Sequence, residues 1–213
     1  MVKVLLSVLA VIISTAGCSV GNGVSPNTPK TNNMQTSSGL TSIEEKILKH
    51  AESNFSLAKA EADLKKISSL NLPEETTYYY LEKKGSYGST YYNYFVYKNE
   101  LFCSGIEGDF ERYLKALNFL SAKNVTAEQF WNSYQQLGFH DGESMIIDEK
   151  LLSQPYEFVK PFINRISKPE LDYQNGSATF IFYSVNTDNE SVTKNVVEVS
   201  SDYKVSKKSE RLK

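Results

Sequence analysis

The sequence predicts an α+β fold in which an antiparallel sheet, made of a meander plus a C-terminal hairpin, packs with several amphipathic helices. Three features carry that expectation. Residues 76–104 (TTYYYLEKKGSYGSTYYNYFVYKNELFCS) are dense in Tyr, Thr, Phe and Val, side chains that suit a pleated surface, and are punctuated by Gly and Asn. Residues 178–199 repeat that character around a turn rich in Asn and Asp. Elsewhere apolar residues recur every three or four positions, the period of a helix with one buried stripe. Helix, meander, helices and hairpin do not alternate as β-α repeats do, which favours antiparallel pairing. With 213 residues, 40% of them apolar, there is material for one sizeable core.

The chain opens MVKVLLSVLAVIISTAGC: one cation, Lys3, an apolar run over 4–13, then Ser14, Thr15, Ala16, Gly17 and Cys18. A charged start, a short apolar run and small residues at a cleavage point make residues 1–17 a secretory signal, and the run is too short to span a bilayer. Thr15-Ala16-Gly17-Cys18 resembles the lipobox of bacterial lipoproteins. The resemblance implies diacylglycerol on the Cys18 sulfur, cleavage after Gly17 and acylation (palmitate or a similar chain) of the new amino terminus. A thiolate is the nucleophile such thioether chemistry needs. Several acyl chains, each methylene adding about 0.8 kcal/mol, anchor stably where one would be marginal. The membrane is then a partner through the lipid on Cys18. By the same resemblance, Ser19 directs sorting outward, favouring the outer membrane over the inner one. An ordinary cleaved signal with an incidental Cys18 is the alternative.

Residues 18–40, rich in Ser, Asn, Thr, Gly and Pro, cannot bury enough surface to offset ordering entropy and are expected to be a flexible tether. Its root-mean-square reach is roughly 25 Å. A single globular domain is expected over 41–213. Thr41 and Glu44 satisfy a capping box, and Ile43, Ile47, Ala51, Phe55, Ala58 and Ala62 form one stripe of a helix that Leu64, Ile67 and Leu70 extend until Pro73 stops it. In the meander, Gly85-Ser86-Tyr87-Gly88-Ser89 reads as the first loop and Asn99-Glu100 as the second. Tyr79, Leu81, Phe95 and Tyr97 are expected on one face, with Tyr78, Tyr80, Tyr92 and Tyr94 on the other. Those four tyrosines are the candidate binding residues, because rigid aromatics give contact area at low entropic cost. Helices packed over them are the competing expectation.

Asp109 is positioned to cap a helix carrying Phe110, Tyr113, Leu114, Leu117 and Leu120, and Thr126 with Gln129 opens another bearing Phe130, Trp131, Tyr134 and Leu137 up to Gly138. Ile146, Ile147, Leu151 and Leu152 suggest a short helix; Tyr156, Val159, Phe162, Ile163 and Ile166 suggest a further one that Pro161 kinks or delays. A strand over 178–185, its partner over 192–199 and a short third strand over 203–205 complete the chain. The Lys-rich tail reads as a frayed end or as a contact for anionic headgroups.

Net charge is −2, and removal of Lys3 takes it to −3, so no basic excess points to nucleic acid. Of the two cysteines, Cys103 is expected to be a small buried strand residue; a Cys18–Cys103 disulfide is open only if Cys18 carries no lipid. His50 borders the first helical stripe. His140, Asp141 and Glu143 sit together around an Asp-Gly turn, too few for a metal site on their own. There is no G-x-S-x-G, H-E-x-x-H, P-loop or C-x-x-C, and neither a catalytic residue, a metal nor a cofactor is assigned. The expected function is a lipid-anchored envelope protein that binds an envelope protein or glycan. A carboxylate-dependent hydrolase of wall or glycan material, with His140, Asp141 and Glu143 first in line, is the alternative.

Overall fold

Helix α1, Ser42–Phe55, starts where the capping box places it: the Thr41 hydroxyl accepts from the Glu44 N–H and the Glu44 carboxylate accepts from the Thr41 N–H. The computed structural model describes residues 40–85, 88–138 and 145–213, side chains at 84, 85 and 88 excepted, and Leu40–Lys213 forms one unit. The helix does not run on to residue 70 as expected. Ser56 takes a left-handed conformation (φ 52°), and after a 3-10 turn at Lys59–Glu61 the chain becomes strand β1, Ala62–Ile67. Helix-forming composition loses here to sheet pairing, since β1 supplies the hydrogen-bond partner that strand β2 otherwise lacks.

The meander forms as expected, with β2 (Thr76–Gly85), β3 (Gly88–Tyr97) and β4 (Glu100–Cys103) joining β1 in a four-stranded antiparallel sheet of order β1-β2-β3-β4. Its faces differ from the expectation. A five-residue loop at 85–89 would pair even positions with even ones. Instead Gly85 pairs Gly88, so Tyr78 stands opposite Phe95, Tyr79 opposite Tyr94 and Leu81 opposite Tyr92. A one-residue change of register moves a whole strand's side chains to the other face. Tyr78 and Tyr80 therefore share one face, and Tyr92 and Tyr94 lie on the opposite one.

Each face has its own cover. Ile47, Leu48 and Ala51 of α1 pack with Tyr79, Leu81, Tyr94, Val96 and Cys103. The other face, through Phe95 and Phe102, meets helices α2 (Asp109–Ala116), α3 (Phe119–Ala122) and α4 (Ala127–Leu137). Asp109 does not cap α2. Gly108, at φ 80°, holds that position, and Asp109 turns inward as the first helical residue. The single helix expected beyond it breaks where Asn118 goes left-handed, dividing α2 from α3. Helix α4 has its capping box at Thr126 and Gln129 and closes at Gly138, as the sequence indicates.

Beyond these helices lies a second antiparallel sheet: β5 (Met145–Ile146), β6 (Glu170–Gln174), β7 (Ser177–Asn186), β8 (Ser191–Val199) and β9 (Val205–Arg211). Strands β7 and β8 are the expected hairpin. Strand β6, not foreseen, alternates Leu171 and Tyr173 inward between exposed neighbours. The tail does not fray but pairs along β8 as an edge strand, and its lysines give it the charge that discourages edge-to-edge aggregation. Phe180, Phe182, Val197 and Val199 complete the core shared with the helices. On the far face Tyr183, Val185 and Val192 pack under a short helix α5 (Glu149–Ser153) and a 3-10 segment, Lys160–Arg165, where a longer helix was expected. Among the described residues no helix is long and apolar enough to cross a membrane.

Candidate functional site

Most of the tyrosines in the meander are structural. Tyr94 is fully buried and Tyr78 is 7% exposed, its hydroxyl donating to Asn93 Oδ1 at 2.8 Å. Tyr92 is half-buried and stacks on Phe55 with centroids 4.1 Å apart. Of the four candidate binding residues, Tyr80 is the one beside an open aromatic surface, and its partner there is Tyr91, which the sequence reading passed over. The two rings stack at 5.2 Å with 25° between their planes, and Tyr91 is 46% exposed.

The sheet register builds a small ledge around that pair. Lys65 of β1 stands directly opposite Tyr80, which stands opposite Asn93; Asp63 stands opposite Glu82, which stands opposite Tyr91. All therefore project from one face. The Glu82 carboxylate is held by the Ser89 hydroxyl, which donates to it at 2.7 Å, and Asp63 pairs with Lys65 at 2.9 Å. Tyr80 itself leans on the inter-sheet core. Burial first, and then the neighbouring Tyr91 and Glu82, push its phenol up to about 12, so it remains a neutral hydrogen-bonding group at any physiological pH. Helix α4 covers the adjoining part of this face. Its Gln136 carbonyl accepts from Asn93 Nδ2 at 3.0 Å. The ledge is a stacked aromatic pair with one carboxylate fixed by a hydroxyl, one ion-paired carboxylate and one ammonium.

On the opposite face a buried polar chain ties α1 to the sheet. The Tyr94 hydroxyl lies 3.1 Å from His50 Nδ1 and also contacts the Cys103 thiol. Asp109 accepts the Cys103 backbone N–H at 2.8 Å and pairs with Arg112. Cys103 is the buried strand residue the sequence indicates, and burial pushes its thiol up to about 11, against lesser opposing effects of the Gly105 N–H and the Tyr94 hydroxyl. It stays protonated and shielded at neutral pH, the reverse of an activated nucleophile. Burial lowers His50 from its ordinary value, opposed in part by Asp109 and assisted by Arg112. This network positions α1 and presents no open reaction centre.

No protein-family model and no curated protein matches the chain. The geometry therefore stands alone. A shallow groove of about 300 Å³ lies between Ile43 of α1 and Thr77, Tyr79 and Val96 of the sheet, with Glu75 and Lys98 at its rim, 3.7 Å apart. Among the described residues no three His, Cys, Asp or Glu side chains come close enough together to hold a metal. Cys18 and the trio His140, Asp141 and Glu143 lie outside the described residues. Tyr91 was legible in principle. A tight Gly-bounded hairpin at 85–88, in place of a five-residue loop, puts it on the face of Tyr80 and Glu82.

Proposed function

We propose that the chain is a lipid-anchored protein of the bacterial cell envelope, held through Cys18, with the outer membrane favoured, whose folded unit is a binding module. The observation that carries the reading is the division of the chain. A signal-like start ending in Thr15-Ala16-Gly17-Cys18 is followed by a polar stretch to residue 39, and Leu40–Lys213 forms one unit. Within that unit the Tyr80–Tyr91 ledge supplies the exposed aromatic contact area that binding surfaces use. The buried, protonated Cys103 offers nothing to nucleophilic catalysis.

The anchor is tested by expressing the full chain and its Cys18→Ser variant in a Gram-negative host. The wild type is expected in the detergent phase on phase separation, with a mass increase of acyl chains on its mature amino terminus, and in the outer-membrane fraction. The variant is expected in the aqueous phase as an unacylated precursor. Identical partitioning and mass behaviour of the two proteins would overturn the anchored reading.

A further inference from the structure

We infer that the ledge of Tyr80, Tyr91, Glu82 and Asp63 is a carbohydrate-binding face for an uncharged, β-linked pyranose polymer. The inference rests on the folded unit being a binding module and is independent of the lipid on Cys18. Three features of the ledge carry it.

The first is the aromatic pair. One side of the Tyr91 ring stacks on Tyr80, and the residue remains 46% exposed. The negative face of an aromatic ring attracts the polarised C–H groups that an equatorially substituted pyranose presents on its flat side. Tyr80 is seated against the core, so the stack is held before a ligand arrives and little rotamer freedom is lost on binding.

The second is the placement of acceptors beside the ring. Glu82 stands directly across from Tyr91 in the register, and its carboxylate is already fixed by the Ser89 hydroxyl. Asp63 stands directly across from Glu82 on the same face. Carboxylates accept hydroxyl protons in charge-assisted hydrogen bonds, which are stronger than neutral ones. A sugar seated on Tyr91 thus has hydroxyl acceptors alongside it.

The third is charge. Asp63 and Glu82 are matched on this face by Lys65 and, at the next register position, Lys84, so the face carries no net positive charge, on a chain that is itself net negative. A phosphate- or sulfate-bearing polymer finds no basic patch there, and a neutral glycan needs none.

The test uses the full chain in detergent micelles, with binding to insoluble chitin and to cellulose measured by depletion and to soluble chito-oligosaccharides by calorimetry. Heparin serves as the polyanion control. Wild type is expected to bind at least one neutral polymer and to ignore heparin. Tyr91→Ala should weaken binding roughly five- to tenfold and Glu82→Gln by a smaller factor. Tyr91→Phe, which keeps the ring, should bind like wild type, and so should Tyr156→Ala, which removes an exposed tyrosine elsewhere. Thermal midpoints of all variants show whether the fold is kept. Equal binding by wild type and a folded Tyr91→Ala, or no binding of either neutral polymer by wild type, overturns the inference. If wild type ignores the glycans while Tyr91→Ala loses a protein captured from envelope extracts, the glycan assignment fails and the binding-module reading survives. If neither ligand class is captured, both fail. Glycan binding retained by Cys18→Ser separates this face from the anchor.

Discussion

His50 shows how one side chain couples the burial of α1 to pH. Its imidazole meets the Tyr94 hydroxyl of β3 and the Phe55 ring of its own helix, and it feels the charges of Asp109 and Arg112 of α2. Removal from water disfavours the charged ring, so protonation occurs at lower pH in the folded state than in the unfolded chain, where the ordinary value is about 6.5. Below that value the unfolded state binds more protons, and linkage makes stability fall. The stabilisation by a neutral His50 is complete above pH 6.5 and is lost as pH falls through the lowered folded value. The thermal midpoint of the wild type should therefore drop between pH 7 and pH 5 more steeply than that of His50→Gln, which keeps a hydrogen-bonding group but cannot titrate. Parallel midpoint curves for the two proteins would count against this account.

Helices and strands were unequally legible, for physical reasons that particular elements expose. Helix α4 was readable because its signals are local. Thr126 and Gln129 satisfy each other's backbone donors, the aromatic stripe is periodic, and Gly138 ends it. The structure adds a clamp, with Asn71 donating to Glu128 and its carbonyl accepting from Asn132. Thr126→Ala should cost about 1 kcal/mol, while Thr126→Ser, which keeps the acceptor, should cost little. Chemical denaturation of the two variants measures the difference. Strand β1 was not readable, because residues 56–67 carry helix-forming composition and become a strand only through pairing with β2, information that lies outside the segment. The candidate site shares that weakness. Its tyrosines are visible in the sequence, but which of them share a face depends on the Gly85–Gly88 pairing: a five-residue loop would set Tyr92 and Tyr94 beside Tyr80, where the tight hairpin sets Tyr91. The inward turn of Asp109 was equally hidden, since a cap and a buried acceptor read alike in sequence.

At the scale of the molecule, the two sheets share one core, so they should stand or fall together. Phe130 is the clearest junction. It is fully buried, and its ring lies 5.9 Å from Phe110, 5.3 Å from Phe119 and 5.0 Å from Phe180 of the second sheet. Tyr113 carries the connection onward to the first sheet through Phe95 and Phe102. Truncating such a ring loses its transfer free energy and leaves a cavity that its aromatic neighbours cannot fully fill, so Phe130→Ala should cost about 3–5 kcal/mol. Two native probes report on the opposite sides of this junction. Trp131, the single tryptophan, packs on Phe180 and Phe182 of the second sheet, while Cys103 is buried against α1 in the first. Tryptophan fluorescence and the exposure of Cys103 to a thiol reagent, read by peptide mapping, should therefore give the same denaturation midpoint in wild type. Both should fall together in Phe130→Ala. A variant in which Trp131 is released at lower denaturant while Cys103 stays protected would mean that each sheet is stable without the other. The shared core would then be an interface between two folding units.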